Sequence, residues 1–342
     1  MKKLSLAPVK ILVMVIFFVG VFMAGISDQY AREIKKKEVP DKKIQKKIPG
    51  FRAMSTKALE AVAYNKTIKP REVLKGDHVA CGVSLRNRGG GVINLRGAPE
   101  GAQAVKAYLY WDILANRAPR SARVSINGVS VQGKLIGQGP DPYWGRTHNF
   151  VYLAEVPLYL LYEGINGDYK VAGVAGSQGF GMNPWEYWSG AILAEGVSLV
   201  IVYLNQTNKN KVTYIYDQPV SSQMFCGAFG VNLVGFNAHQ QRAKFTMLGA
   251  DGQVGGGLNA FYFCSSETSF FQGYQIAGPA EPNPQPYHDA DSDWNGHDGE
   301  PLNQLWDTRT HIVRIKKNST SAKVLYKSKG DCLVIVAFIL TM

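Results

Sequence analysis

Cysteine is scarce: four residues in 342, Cys81, Cys226, Cys264 and Cys332, with no C-x-x-C pair and no histidine at zinc-finger spacing. Thioredoxin-type and zinc-finger chemistry are therefore disfavoured. Catalytic signatures are missing as well. The chain has no G-x-S-x-G elbow and no H-E-x-x-H, and neither Gly89–Gly91 nor Gly255–Gly257 is followed by Lys-Ser/Thr, so no hydrolase, zincin or phosphate-loop motif is present. Gly173–Gly181 resembles a nucleotide loop superficially, but Asn183–Pro184 breaks the chain where a helix must begin. His148, His239, His288, His297 and His311 add no metal motif. Helical periodicity is confined to Met54–Tyr64, capped by Ser55 or Thr56, with Val156–Tyr162 reading as one turn or a strand. Nothing supports a βαβ unit or an internal repeat.

A full membrane span is also lacking. Ile11–Ile26 is uncharged but only sixteen residues long, a rise of about 24 Å as a helix against the ~30 Å hydrocarbon core. Lys2 and Lys3 precede it, and Gly25 and Ser27 at its end are small residues two apart. This reads as a signal peptide cleaved after Ser27, or as a short signal anchor, over residues 1–27. Nine basic residues between Arg32 and Arg52 lie on its far side; in an uncleaved segment they favour the opposite orientation. The tripartite pattern points to export all the same.

The net charge of +12 does not imply nucleic acid. Residues 1–52 hold twelve basic and four acidic groups, which leaves +4 on the other 290 residues. A body that mild has no phosphate-tracking surface. Residues 28–55 are lysine-rich, contain Pro40 and Pro49, and read as a tether.

What is abundant points to strands. Gly 36, Pro 16 and 11% aromatics describe a turn-rich β protein. Short β-type runs recur at Val105–Trp111, Ala122–Ile126, Val129–Gln132, Val151–Leu153, Tyr169–Val174, Ser198–Tyr203 and Val212–Tyr216. They continue at Lys244–Leu248, Leu258–Phe263, His311–Ile315, Lys323–Tyr326 and Cys332–Leu340. Asn127–Gly128 between two alternating runs is a hairpin signal. Cys332–Leu340 is apolar throughout, as a strand buried on both faces would be. The expected fold is an all-β, antiparallel, jelly-roll-like sandwich over residues 56–342, with two sub-sandwiches divided near 205 as a variant. In an exported chain four cysteines permit two disulfides in three pairings; the alternative is four buried thiols.

Two segments carry candidate chemistry. In His288–Glu300 the oxygens of Asp289, Asp291, Asp293, Asn295 and Glu300 fall at the ligand positions of an EF-hand-like loop, although Trp294 stands where that loop has Gly. Four aspartates within ten residues repel one another, and Ca²⁺ would relieve this; a solvated acidic turn is the plain alternative. The aromatic residues Trp144, Trp185, Tyr187, Trp188 and Trp294 would suit a sugar-stacking platform on a surface glycan, or else fill the core. Two carboxyl groups facing each other across an aromatic-lined cleft would instead make a glycoside hydrolase.

The segments AVKAYLYW (Ala104–Trp111), ARVSINGVSV (Ala122–Val131), AEGVSLVIVYLN (Ala194–Asn205), VTYIYD (Val212–Asp217), LGADGQ (Leu248–Gln253), LWDTRTHIVRI (Leu305–Ile315) and GDCLVIVAFIL (Gly330–Leu340) together resemble an uncharacterised β-sandwich module of secreted bacterial and archaeal surface proteins. The resemblance covers about residues 80–342. It implies export and sheet architecture, with Asp307 structural, and it brings no catalytic residues. The lysine-rich stem departs from the usual arrangement and leaves the mode of attachment open. The expectation is an exported, non-enzymatic cell-envelope or extracellular structural or adhesion module, with calcium as a stiffening ion and a surface glycan or cell-wall polymer as partner. Its membrane contact is limited to the N-terminal segment, and no nucleic acid is involved. A carbohydrate-binding protein is the alternative.

Overall fold

A computed structural model describes residues 66–342 apart from 87, 143, 177–191, 208, 253–266, 279–292, 297 and 299–304. The described residues belong to one compact unit, Met54–Met342. The expected signal segment, tether, Met54–Tyr64 helix and Leu258–Phe263 strand lie outside them.

The fold is all-β, in three sheets. A four-stranded sheet runs β4 (Gly90–Leu95), β10 (Gly167–Ala172), β6 (Arg123–Ile126), β7 (Val129–Gln132). A five-stranded sheet runs β3 (Asp77–Ser84), β11 (Leu193–Leu204), β5 (Gln103–Ala115), β9 (His148–Glu155), β8 (Lys134–Pro140). The third has nine strands. Its spine is β1 (Lys66–Ile68), β13 (Gln223–Val234), β18 (Ser321–Thr341), β12 (Val212–Tyr216) and β2 (Glu72–Lys75). To β18 are added β14 (Arg242–Ala250), which carries β17 (Trp306–Arg314), and β15 (Thr268–Phe271), which carries β16 (Tyr274–Ala277). The β1–β13 pair is parallel and the other strand pairs are antiparallel.

Period-two alternation sends the two faces of β5 into different cores. Leu109, Trp111 and Ile113 pack with Ile93, Ile126 and Val171 of the four-stranded sheet. Tyr108 and Tyr110 point the other way, onto Ile215, Leu248, Val334 and Ile339 of the nine-stranded sheet. The five-stranded sheet is thus the middle of a three-layer stack, one layer more than a simple sandwich. Its strand β11 is accordingly buried on both faces.

Asn127 and Gly128 have φ of 48° and 81°, the left-handed pair that a type I′ hairpin between β6 and β7 requires. Val156–Tyr162 contains a single 3-10 turn, Leu158–Leu161. Twelve residues of straight strand would separate Tyr326 from Phe338 by about 40 Å, yet their rings stack at 6.1 Å. The 21-residue β18 therefore turns a corner, and the nine-stranded sheet wraps around a third core of Phe225, Phe245, Trp294, Tyr326 and Phe338.

Cys226 and Cys332 are register partners on β13 and β18 and form a disulfide, Cα to Cα 4.3 Å. It closes a sequence separation of 106 residues, which the chain-entropy account values at about 4–5 kcal/mol. Cys81 is a half-buried free thiol whose pKa burial pushes up to about 11. Cys264 lies outside the described residues.

Candidate functional site

Strand β11 pairs Ala194 with Ile113 and Gly196 with Asp112, so Glu195 is the extra residue of a β-bulge beside Asp112. Gly196 is fixed by packing, since a Cβ there would lie 2.2 Å from Cγ of Trp306. The bulge brings Glu195 to Arg86, whose Nη2 donates to Oε1 at 2.6 Å; both side chains are 0% exposed. Arg86 also lies over the Trp144 ring, 4.1 Å from its centroid. Trp144 Nε1 in turn donates to Asp251 Oδ1 at 2.5 Å, at the end of β14 in the nine-stranded sheet. Arg146 Nη1 holds the carbonyl of Trp144 at 2.5 Å, and the Asp141 carboxylate accepts the backbone N–H groups of Trp144, Gly145 and Arg146.

Burial raises the carboxyls of this cluster. Asp112 is pushed well above the usual carboxylate range, by burial first and by the neighbouring Glu195 charge second. Burial also lifts Glu195, to about 7, against the pull of Arg86. A protonated acid beside an ionised one is the arrangement that acid–base hydrolysis uses. In these positions both carboxyls are buried. What the cluster does is fasten the 141–146 loop and join two sheets.

Other polar contacts cross between the same two sheets. Tyr110 on β5 donates to Asp217 Oδ2 at 2.9 Å, and Arg71 Nε reaches the same oxygen at 2.8 Å. Trp306 Nε1 donates to Ser198 Oγ on β11 at 2.9 Å.

Part of the acidic loop is described, and its residues meet β17 and β3. Asp293 Oδ1 faces His311 Nε2 at 2.6 Å, and Asn295 Oδ1 accepts from Arg309 Nη2 at 2.6 Å. Gly296 N donates to Asp307 Oδ2 at 3.0 Å, and the carbonyl of Asp298 accepts from Ser84 N at 2.9 Å. Asp293 and Asn295 thus find partners among side chains of β17. Asp289, Asp291 and Glu300 lie outside the described residues, among which no three His, Cys, Asp or Glu side chains could hold a metal ion. Burial pushes the Asp298 carboxyl up to about 7.

Trp294 lies in the core. It is 0% exposed, fills the space over Gly249, and meets Tyr326 and Phe225 edge-on at 5.4 and 5.7 Å. Trp144 is half-buried with Arg86 over its ring. Trp185, Tyr187 and Trp188 lie outside the described residues.

Sequence reading passed over Arg86, Asp112, Glu195 and His78. The available signal was a lone charge inside an apolar strand run, as in YWDILA, or one beside a glycine, as in LAEGVS.

No family model matches the chain, and no curated protein matches it. Among solved structures, PNGF-II is similar at a TM-score of 0.25 and 12% identity, over 81% of this chain and 63% of that one. The insecticidal delta-endotoxin Cry8Ea1 from Bacillus thuringiensis is similar at a TM-score of 0.18 and 8% identity, over 83% of this chain and 55% of that one. The chain thus spans less than two thirds of the length of either, and likenesses this slight carry no chemistry and no partner across.

Proposed function

We propose that the chain is exported and serves as an extracellular or cell-envelope structural or adhesion module, with no bond-making chemistry of its own. The observation that carries this reading is the Cys226–Cys332 disulfide between adjacent strands, a bridge that persists in oxidising compartments and is rare in the cytosol. The Lys2–Lys3 and Ile11–Ile26 pattern supports the same destination. Support for a scaffold role comes from the buried ionic groups, which join sheets and loops. The lysine-rich stem spaces the body from a membrane, and a surface glycan or cell-wall polymer is the partner.

The test is a sedimentation assay of the full chain with isolated cell-wall polymer, run beside a turnover assay on a polysaccharide panel. Co-sedimentation without product supports the reading. Product formation that disappears in Glu195→Gln or Asp112→Asn contradicts it.

A further inference from the structure

His78 belongs to β3 of the five-stranded sheet, yet its ring sits between two threonines of the nine-stranded sheet. Nδ1 lies 2.6 Å from Thr341 Oγ1 on β18, and Nε2 lies 2.7 Å from Thr246 Oγ1 on β14. The contacts continue outward on both sides. Thr341 Oγ1 is 2.6 Å from Thr213 Oγ1 on β12, and Thr246 Oγ1 is 2.7 Å from Thr310 Oγ1 on β17. The row ends where Thr213 Oγ1 donates to the carbonyl of Gly76 at 2.8 Å.

That last bond orders the others. A carbonyl only accepts, and each hydroxyl has one proton. Thr213 has committed its proton to Gly76, so Thr341 donates to Thr213. Thr341 must then accept from the ring, which puts the proton of neutral His78 on Nδ1. Nε2 is left as an acceptor, so Thr246 donates to it, and Thr310 donates to Thr246.

We propose that His78 is an acid-released latch: the neutral Nδ1–H imidazole keys the five-stranded sheet into the threonine row of the nine-stranded sheet, and proton uptake drives the ring out and parts the two sheets. The groups facing the ring account for the direction. Lys244 Nζ donates to the carbonyl of His78 at 2.9 Å. Asp77 is ion-paired to both Lys211 and Lys244 at 2.7 Å, and Tyr203 on β11 pairs with Asp77. Two cations and one carboxylate thus leave an excess positive charge beside a fully buried ring, and protonation would add another with no water to solvate it. Burial first, and Lys244 second, lower the pKa of His78 to about 3.

Nitrogen-15 NMR of the ring in the full chain tests the latch directly. The expected spectrum is the neutral Nδ1–H tautomer, with no titration until well below pH 5. An Nε2–H tautomer, or a midpoint near the ordinary value of about 6.5, overturns the proposal. Hydrogen exchange read by mass spectrometry supplies the second arm. Measured against His78→Gln, amides of β3, β12 and β14 in the wild-type chain should open more steeply with acid, by about tenfold for each pH unit below 6.5, the contribution of one linked proton, while the core between the four- and five-stranded sheets stays protected. Equal slopes in both proteins overturn the latch, and the NMR result decides the matter if His78→Gln does not fold.

Discussion

Glu195 is the bulged residue of β11, and Arg86 on the adjoining segment pairs with it at 2.6 Å in a position where neither side chain touches solvent. A buried pair of this kind is costly to break on one side only, because the survivor keeps its charge without a partner. Arg86→Ala should lower stability by about 3–5 kcal/mol, with loss of the cover over Trp144 included. The double replacement Arg86→Met with Glu195→Leu should cost less than Arg86→Ala alone. Denaturant melts of the three proteins check this, and a double variant worse than the single would contradict the pairing.

Packing at the bulge gives an independent prediction. The Trp306 ring occupies the space a side chain at Gly196 would need. Gly196→Ala should therefore displace Trp306 from Ser198 and cost about 1–3 kcal/mol, the usual range for overpacking. Adding Trp306→Phe should recover part of the loss. The thermal midpoints of the single and double variants measure it, and a fully neutral Gly196→Ala would show that the bulge is not held by this contact.

Two sets of buried groups bind protons with opposite consequences. Burial raises Glu195, Asp112 and Asp298, so the folded state holds protons that the unfolded chain has released. For Glu195 and Asp298 the stabilising effect is complete below about pH 4 and is lost as pH rises through about 7, and Asp112 acts in the same direction. For His78, lowered to about 3, the unfolded chain binds the proton more readily. Stability from that source is present above about pH 6.5 and falls as pH drops toward 3. Above about pH 4 the three raised carboxyls outweigh the single histidine, so the unfolding free energy should be highest near pH 4 and decline toward pH 8, and Glu195→Gln should flatten that decline. Urea melts from pH 4 to 8 provide the measurement; a steady rise through pH 8 would refute the carboxyl assignment.

Strands were legible in the sequence wherever burial on one face produced alternation or burial on two faces produced an unbroken apolar run. Val105–Trp111, Ser198–Tyr203 and Cys332–Leu340 each fall within an observed strand. Lys323–Tyr326 and Cys332–Leu340 read as separate strands because the polar stretch from Lys327 to Asp331 resembles a turn; in the fold it belongs to the one strand β18, where its register with β13 shifts between Cys226 and Ala228. The carboxyl cluster was not legible, since it depends on a register shift that places Glu195 beside Asp112, 83 positions away in sequence. The contacts of the acidic loop were not legible for a related reason. Its spacing resembles a metal loop, but the partners that answer Asp293 and Asn295 are His311 and Arg309, on a strand whose docking no local pattern shows.

The Cys226–Cys332 bridge links β13 to the central strand of the nine-stranded sheet. Reduction, or Cys226→Ser with Cys332→Ser, should lower the unfolding free energy by about 4 kcal/mol. Denaturant melts with and without reductant will show it, and an unchanged midpoint would mean that the bridge constrains nothing.

The account as a whole stands on the chain reaching an oxidising compartment. Cells producing the full chain, with Lys2 through Ile26 intact, are alkylated before lysis, separated into cytosolic and extracytoplasmic fractions, and digested without reductant for mass analysis. The account predicts a peptide pair joined through Cys226 and Cys332 in the extracytoplasmic fraction. Finding the chain in the cytosol with both thiols alkylated would contradict it.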